Sequence, residues 1–503
     1  MIDTAALREK VLDLAIRGKL VPQDPTDEPA SVLLERIHEQ KLQMVREGKL
    51  KAKDVKDDTI IFKGDDNCYY EKFSDGTIKN IQDEIPFDLP DGWSWSKISS
   101  IAFVTKLAGF EYTKYIANNL CNDGIPLFKG KNVQDGKIIY EFESYIPLDI
   151  SNELSRSQIT RKCLLTPYVG TIGNIGIHSK EGIFHLGSNV GKIELYNQSE
   201  VLLEEYVVAY MKSTYGYKEL TKHIKATAQA SISIDAIRDV YIAIPPSNEQ
   251  KRIAQKVDEI LSFVAIIDNL RIEIDDIKAL LKSRILELAI QGKLVPQDEN
   301  DEPASILLER IRAERKAKLG KKYVDSYIFK GDDNCYYENN VNNPVEIPFV
   351  LPKNWAFSRL ADIAWLEDGV KIDGEQLPYL DAKTIRGKQT ASMLSCGKVI
   401  EKGMQVILVD GENSGEVFEV PCRGYIGSTF KVLQVSYEIE KSYVKLILDF
   451  YKNLFKDNKT GSAIPHLNKK IFKSLIVAVP PVSEQKLIVE KVNLVTDILK
   501  DGV

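Results

Sequence analysis

The sequence predicts an α+β fold in which two mixed α/β domains are joined by long antiparallel coiled-coil helices. Three observations lead to this prediction. A long segment occurs twice, an unusually long helical pattern lies between the two occurrences, and each copy surrounds a divergent insert with short strand-like runs. Together they indicate a circular pseudo-two-fold repeat of one unit.

The first observation is a duplicated block. Residues 7–37 read LREKVLDLAIRGKLVPQDPTDEPASVLLERI, and residues 281–311 read LKSRILELAIQGKLVPQDENDEPASILLERI. Compared position by position, 22 of the 31 residues are identical at a constant offset of 274. The chain therefore holds two copies of one unit, and we expect specificity to lie where the copies differ.

Three further markers recur in the same order. IFKGDDNCYYE is identical at 61–71 and 328–338, IPFDLPDGW at 85–93 matches IPFVLPKNW at 347–355, and IPPSNEQKRIAQKV at 244–257 matches VPPVSEQKLIVEKV at 479–492. The stretches 94–241 and 356–477 show little similarity. Joining the two chain ends would approximately rebuild the central segment, so we expect the termini to lie close together.

A long helix is predicted in the centre of the chain. Apolar residues recur every three or four positions from Ile253 to Leu288, as in an amphipathic helix or coiled-coil seam. Pro245 and Pro246 precede it, and Gln291 with Gly292 favours a left-handed end. About 42 residues at about 1.5 Å each give a rod of roughly 60 Å. Residues 6–16 and 487–499 should supply the antiparallel partner seam.

Shorter elements complete the predicted domains. Each EPASxLLERI segment opens a second helix, with proline near its first turn. The inserts show strand-like runs near 137–140, 191–195, 406–409 and 430–435, and helices near 203–211 and 442–455. The predicted boundaries are an N-terminal helical segment at 1–58, α/β domains at 59–245 and 326–480, a central coiled-coil segment at 246–325 and a C-terminal helix at 481–503.

Composition narrows the class of protein. The 503 residues carry a net charge of −6, which argues weakly against a stand-alone nucleic-acid binder but allows local basic faces. The six cysteines form no CxxC pair, which is typical of a reduced cytoplasmic protein. No apolar run reaches 18 residues and the N-terminus does not resemble a signal peptide, so we expect no membrane association.

Catalytic motifs were sought and not found in the sequence. It has no FxGxG cofactor loop, no [DN]PP[YF] tetrapeptide, no Walker A loop and only five histidines. We therefore expect no catalytic residue, no metal site and no cofactor bound by this chain. One alternative is an unfamiliar active site at the repeated acidic pairs Asp65-Asp66 and Asp332-Asp333, although a turn or a docking surface explains them more simply.

Basic residues among aromatic and amide side chains remain as candidates for binding. Lysine-rich stretches occur at comparable places in both inserts, as in MKSTYGYKELTKHIKATAQ at 211–229. Cations of this kind can neutralise phosphates, and Asn, Gln, Arg and Ser can contact base edges. Either cluster alone is also explained by a solvated surface.

These motifs resemble a known family. GKLVPQDPxDEPASxLLERI, IPFxLPxxW and PPxxEQxxI, each present twice around variable segments, are similar to the specificity subunit of type I restriction-modification systems. The resemblance covers essentially the whole chain. It implies that each insert is a target recognition domain for double-stranded DNA, and that the helical segments dock two modification (methyltransferase) subunits.

The resemblance also implies where the chemistry resides. S-adenosylmethionine would belong to the partner adenine-N6 methyltransferase, and ATP and Mg to the partner restriction subunits that carry the motor and nuclease. In recognition domains of the family, segments comparable to 168–175, 409–415, 227–233 and 460–467 recur. In the last segment, His466 and Pro465 replace the Ser- and Asn-rich sequence that is more usual in the family.

The candidate DNA-binding residues combine the basic clusters with these segments. In the first insert they are Lys129, Lys131, Arg156, Arg161, Thr171, Asn174, Lys218, Lys222, Lys225 and Gln229. In the second they are Lys383, Arg386, Lys388, Asn413, Ser414, Lys452, Lys459, Ser462 and His466.

A pseudo-two-fold axis would present the two domains to opposite strands of a duplex. Because the inserts differ, the expected target is bipartite and non-palindromic, with half-site centres about 34–50 Å apart and an unread spacer between them. The alternative is a coiled-coil scaffold that binds proteins through both domains and does not read DNA.

Overall fold

The structure is a computed structural model, and it divides the chain into two compact units, Met1–Arg271 and Ile272–Val503. The predicted boundaries of the five segments remain predictions. The residues described are 2–56, 58–134, 136–196, 202–222, 224, 230–339, 341, 343–459 and 466–501.

Unit 1 combines short helices with strands of two to six residues. Its helices, including three 3-10 turns and one π-helical turn, are Thr4–Ile16, Ala30–Arg46, Lys53–Lys56, Gln82–Glu84, Ile98–Ile101, Gly109–Glu111, Tyr112–Ile116, Gly130–Asn132, Leu148–Glu153, Ser155–Ser157, Glu204–Lys212, Thr214–Thr221 and Ile234–Arg238. Its strands are Thr59–Lys63, Tyr69–Phe73, Ile78–Asn80, Ser94–Lys97, Ala102–Lys106, Ile125–Phe128, Val133–Gln134, Lys137–Ile138, Tyr145–Ile146, Gln158–Ile159, Cys163–Pro167, Gly176–His178, Phe184–Leu186, Val190–Leu195 and Tyr241–Ile244.

Unit 2 contains fewer but partly longer elements. Its helices are Ala304–Leu319, Gly320–Lys322 (a 3-10 turn), Leu360–Ile363, Ala382–Ile385, Lys441–Phe450, Lys452–Asp457, Lys469–Ser474 and Val482–Asp501. Its strands are Ile328–Lys330, Tyr336–Glu338, Ala356–Arg359, Ala364–Glu367, Val370–Leu380, Met393–Ile400, Gln405–Leu408, Val417–Glu419, Gly424–Ile426, Phe430–Val435 and Ile476–Val479. The mixed helix and sheet content predicted for both inserts is confirmed.

The long central helix is also confirmed. It runs from Ser247 to Ile290, 44 residues, and Gly292 just beyond it has a φ of +66°, the left-handed conformation that ends a helix. In unit 1 the N-terminal helix Thr4–Ile16 is tied to it at Asp268, which accepts hydrogen bonds from Thr4 Oγ1 (2.7 Å) and Arg8 Nη2 (2.6 Å). The coiled coil and the circular two-fold arrangement remain predictions.

A four-stranded antiparallel sheet recurs in both divergent inserts. In unit 1 the strand order is Gly176–His178, Cys163–Pro167, Val190–Leu195, Ala102–Lys106. In unit 2 it is Val417–Glu419, Gln405–Leu408, Phe430–Val435, Ala364–Glu367. The strand order is therefore the same in both inserts although they share little sequence.

The shared motifs meet at one junction in each unit, and unit 1 shows how. The indole of Trp93, from IPFDLPDGW, donates a hydrogen bond to Glu249 in the first turn of the central helix (Nε1 to Oε2, 3.0 Å). The Gln250 amide donates to the carbonyl of Pro245 (3.0 Å) and accepts from the backbone N–H of Leu203 (3.1 Å). The two shared motifs therefore recur together because their side chains bond to each other.

Unit 2 repeats the junction. Trp355 donates to Glu484 (2.8 Å), and Gln485 bonds the carbonyl of Pro480 (2.9 Å) and the N–H of Glu440 (2.9 Å). Burial raises the pKa of Glu484, as it does that of Glu249. These glutamates hold the frame together, since each accepts a hydrogen bond from the tryptophan of the other shared motif.

Candidate nucleic-acid interface

In unit 1 the candidate interface is built on the loop that follows the strand Cys163–Pro167. This loop turns the chain back into Gly176–His178, and Gly170 and Gly173 have φ values of +85° and +97°, where a β-carbon would be strained. The Gly170 N–H donates to the carbonyl of Ala230 (2.9 Å), and the Ile232 N–H donates to that of Tyr168 (2.9 Å). The structure thus joins the segments 168–175 and 227–233 through the described residues of the latter.

Unit 2 has the equivalent loop after Gln405–Leu408. Gly411 and Gly415 have φ values of +99° and +98°. The N–H of Leu467 donates to the carbonyl of Val409 (2.7 Å), and Asp410 and His466 form a single antiparallel bridge. The two predicted segments of the second insert also meet, although they are more than 40 positions apart in the sequence.

A lysine-bearing helix packs against each loop. In unit 1 a β-carbon on Gly173 would overlap the ring of Tyr217 in Thr214–Thr221, so the loop lies directly on the helix that carries the exposed Lys218. In unit 2 a β-carbon on Gly415 would lie 3.0 Å from that of Phe455 in Lys452–Asp457. Both loops therefore lie beside lysines from a neighbouring helix.

The unit 2 loop is surrounded by charge of both signs. Lys452 lies 3.8 Å from Glu416, Lys459 donates to the carbonyl of Glu412, and Arg386 pairs with Glu416 while lying 5.2 Å from the ring centre of Phe418. These contacts bring three predicted cations onto one loop, where they also order its backbone.

A cavity of about 610 Å³ opens beside this loop. His466 Nδ1 lies 2.6 Å from Asp410 Oδ1 at its wall, and Lys431, Lys469 and Lys470 also line it. Lys431 and Lys398 hold the pKa of Asp368 down to about 2, so that carboxylate is charged at neutral pH. The cavity wall combines cations with hydrogen-bonding groups, as a surface that contacts phosphates and bases requires.

Two predicted cations lie elsewhere. Arg161 precedes the strand Cys163–Pro167 and is held by Glu194 (Nε to Oε1, 2.8 Å), which places it at the end of the strand opposite the loop. At about 3.3 Å per residue this five-residue strand is roughly 16 Å long. Arg156 bonds Asp54 (3.3 Å) and lies 4.8 Å from the ring centre of Phe103. Sequence proximity grouped these arginines with the loop, but strand direction separates them.

Other predicted residues of unit 1 are already bonded to side chains or carbonyl groups of the same unit. Asn174 donates to the carbonyl of Val133 (3.2 Å) and Lys129 to Ser144 (2.9 Å). Lys131 pairs with Glu143, and Lys222 pairs with Glu219 (2.7 Å). Thr171 is exposed at the loop tip; Lys225 and Gln229 lie outside the described residues.

The remaining predicted DNA-binding residues of unit 2 include both exposed and buried side chains. Lys383 and Lys388 are exposed and make no ion pair with any residue in the described ranges, and Asn413 is exposed on the loop. Ser414 is only 1% exposed, so its hydroxyl points into the protein, which argues against a direct base contact. Ser462 lies outside the described residues.

Sequence reasoning missed several groups at these loops. Lys106 lies 4.5 Å above the ring of Tyr168 at the loop end of the unit 1 sheet, and Lys431, Lys469 and Lys470 line the unit 2 cavity. The Lys469-Lys470 pair was visible in the sequence. Lys106 and Lys431 could be assigned only from the strand pairing that brings them to the loops.

Among the described residues, none of the helices has both the length and the apolar character that a membrane span needs. No cluster of His, Cys, Asp and Glu among the same residues could hold a metal ion.

Comparison with known proteins identifies the family. The model of the "Type I restriction modification DNA specificity domain" matches residues 90–276 and 352–501, and the chain belongs to this family. The chain is 25% identical to the type I restriction enzyme EcoAI specificity subunit of Escherichia coli, over 97% of this chain and 88% of that protein. It is 26% identical to the EcoEI specificity subunit of Escherichia coli, over 71% of this chain and 61% of that protein.

A solved structure shares the fold. It belongs to a study of complex assembly and conformational transition of the type I R-M system, and it aligns with a TM-score of 0.51 at 15% identity. The alignment covers 82% of this chain and 93% of that chain.

Proposed function

We propose that this protein is the DNA-recognition subunit of a type I restriction-modification complex and reads a bipartite, asymmetric target. One observation carries the proposal: two units repeat the same sheet, junction and glycine-bearing loop, yet surround that loop with different side chains. A duplicated frame with unlike surfaces suits two unlike half-sites. The family membership and the EcoAI and EcoEI relatives support it.

Each unit would contact DNA with its loop and the lysine-bearing helix beside it. Lysines such as Lys218 in unit 1 and Lys452 in unit 2 would neutralise phosphates and position the domain. Exposed hydrogen-bonding groups such as Thr171, Asn413 and His466 would contact base edges. A loop held by backbone bonds and glycine turns keeps these groups in place, which reduces the ordering cost of binding.

The long helices would act as a ruler. At about 1.5 Å per residue, the 44-residue central helix spans roughly 66 Å, enough to separate two half-sites by a helical turn or more. We propose that the helical segments form an antiparallel coiled coil around a pseudo-two-fold axis and dock two modification subunits. S-adenosylmethionine would be bound by those subunits, and ATP and Mg by restriction subunits, so this chain would be non-catalytic and cytoplasmic.

An exchange of one insert tests the proposal. Residues 94–241 would be replaced by the insert of another family member, and methylated adenines would be mapped in a host that expresses the assembled complex. We expect one half-site to change while the other half-site and the spacer stay the same. A change in both half-sites, or in neither, would contradict the proposal that each insert recognises one half-site independently.

The control exchange replaces 356–477 and should change the opposite half-site. If the complex instead binds DNA without sequence preference at moderate salt, the chain is a protein scaffold and the recognition proposal fails.

A further inference from the structure

IFKGDDNCYYE is identical in both units, and the structure accounts for only part of it. The segment spans a hairpin between Thr59–Lys63 and Tyr69–Phe73 in unit 1, and between Ile328–Lys330 and Tyr336–Glu338 in unit 2. The backbone turn is the same in both: Asn67 and Asn334 have φ values of 61° and 65°.

The fold requires the inner residues of the turn. In unit 1 the Asp66 carboxylate accepts hydrogen bonds from the Cys68 N–H (3.1 Å) and the Tyr70 hydroxyl (2.7 Å). A β-carbon on Gly64 would lie 2.9 Å from the Asp66 carboxylate and 2.9 Å from the Tyr70 ring. In unit 2 Asp333 accepts from Cys335 (3.0 Å) and Tyr337 (2.7 Å). These bonds explain the second aspartate of each acidic pair as a turn residue.

The outer residues are exposed and have no such role. Phe62 is 38% exposed and stacks on Tyr70 at 5.9 Å between ring centres, and Phe329 is 43% exposed and lies 6.1 Å from Tyr337. Their neighbours Asp65 and Asp332 are exposed and make no hydrogen bond or ion pair with any residue that the structure describes. By contrast, the preceding exposed position differs, with isoleucine at 60 and tyrosine at 327.

We propose that this hairpin face, Phe62 and Asp65 in unit 1 and Phe329 and Asp332 in unit 2, docks one protein species twice, namely the modification subunit. The inference rests on the proposed function, which requires two copies of one partner. Exposed residues that the fold does not need stay identical where the same surface meets both copies, while positions outside the contact diverge.

The charge of the face selects a protein and not DNA. Hydrogen bonds from Tyr70 and Cys68 lower the pKa of Asp66, so it is ionised at neutral pH beside Asp65. Two carboxylates repel a phosphate backbone, whereas a basic side chain on a partner complements them, and an apolar cleft on that partner would accept the phenylalanine ring.

The experiment measures how many modification subunits the full-length chain binds. The variant Phe62→Ser with Asp65→Asn changes one hairpin, and a second variant adds Phe329→Ser with Asp332→Asn. Purified modification subunit is titrated against each, and native mass spectrometry counts the copies bound. We expect the wild type to bind two, the first variant to bind its second copy at least tenfold more weakly, and the fourfold variant to bind both more weakly.

The matched control is Ile60→Ser, because Ile60 is 62% exposed on the same strand but has no identical counterpart in unit 2. It should leave both binding steps unchanged, and all variants should keep the thermal midpoint of the wild type because every substituted side chain is exposed. Unchanged binding by the fourfold variant, or an equal loss with Ile60→Ser, would overturn the inference alone. A wild-type chain that binds no modification subunit would overturn the proposed function as well.

Discussion

In unit 1 the strand Ile125–Phe128 joins a second sheet of four strands, whereas its counterpart in unit 2, Val370–Leu380, forms a long hairpin with Met393–Ile400. The two strands correspond because each pairs in parallel with the strand Phe184–Leu186 or Gly424–Ile426. The unit 1 sheet packs around aromatic rings, with Phe128 between Phe142 at 5.1 Å and Phe184 at 5.4 Å. The unit 2 hairpin instead exposes side chains such as Met393 (57%).

This difference shows which parts of the molecule are free to vary. The four-stranded sheet and the Trp–Glu junction are the same in both units, whereas the second layer is compact in one and extended in the other. A frame that tolerates both can accept new recognition surfaces without a change in the junction that fixes their position. The predictions below test that separation.

The largest effect should come from breaking one junction. We expect Trp355→Ala to destabilise unit 2 by about 3–5 kcal/mol, because it leaves a cavity and removes the hydrogen bond to the buried Glu484. Trp93→Ala should do the same to unit 1. Native-state hydrogen exchange in the full chain, followed by peptide mass spectrometry, would report each unit separately.

Trp365→Ala is the control, since Trp365 is half-buried and hydrogen-bonds only locally to Glu367 (2.7 Å). It should cost less than half as much. If either junction variant accelerates exchange equally in both units, the two frames are not independent.

A pair of glycines separates loop packing from loop strain. Gly173 in unit 1 and Gly411 in unit 2 share nearly the same φ, +97° and +99°. A methyl group at Gly173 would overlap Tyr217, whereas at Gly411 it would meet no atom within 4 Å among the described residues. We expect Gly411→Ala to cost about 1–2 kcal/mol from left-handed strain alone, and Gly173→Ala to cost about 1–3 kcal/mol more. Urea unfolding monitored by hydrogen exchange measures both.

The same pair tests function. Gly173→Ala should lower methylation at targets that depend on the unit 1 half-site more than Gly411→Ala lowers recognition of the other half-site. Equal losses would mean that the contact between the unit 1 loop and the helix Thr214–Thr221 does not position the side chains that would contact DNA.

The sequence predicted the central helix directly, because apolar periodicity is a local property of the chain, whereas the loop segments were expected from the resemblance to the family. The positions of the candidate site residues were harder to predict, for physical reasons. The grouping of cations was not local: Arg161 and Lys106 are both basic and near strand ends, and only antiparallel pairing places Lys106 at the loop and Arg161 at the far end. The burial of Ser414 could not be predicted for a similar reason, because it depends on residues distant in the sequence.

A smaller effect should follow from single phosphate contacts. Lys218 is exposed beside the unit 1 loop and forms no ion pair with the described residues, so Lys218→Ala should weaken binding to all sequences several-fold. The slope of log K against log salt concentration should become shallower by about 1. Arg161→Ala, which removes a cation at the opposite end of the same sheet, should change neither quantity; fluorescence anisotropy at several salt concentrations compares them.

The smallest expected effect is a difference between the two units in how their stability depends on pH. Burial lowers the pKa of His178 in unit 1 to about 4, and its ring lies 4.8 Å from that of Phe184, whereas the equivalent position in unit 2 is the exposed Glu419. Because the folded pKa is below the unfolded value of about 6.5, the unfolded state binds a proton first as pH falls. Unit 1 should therefore lose stability between pH 6.5 and 4, by about 1 kcal/mol at pH 5.5.

Hydrogen exchange at pH 7 and 5.5, corrected for the intrinsic exchange rate, measures this loss in peptides from each unit. His178→Phe removes the titrating ring but keeps an aromatic side chain against Phe184, so the unit 1 loss should shrink while unit 2 stays unchanged. The buried His185, whose pKa is also lowered by burial, would retain a part of the dependence. The buried carboxyls of the shared frame, Glu249 and Glu484, have raised pKa values, so their protonation stabilises the fold as pH falls. A change in stability of the same size in both units would show that these carboxyls, and not His178, dominate the pH dependence.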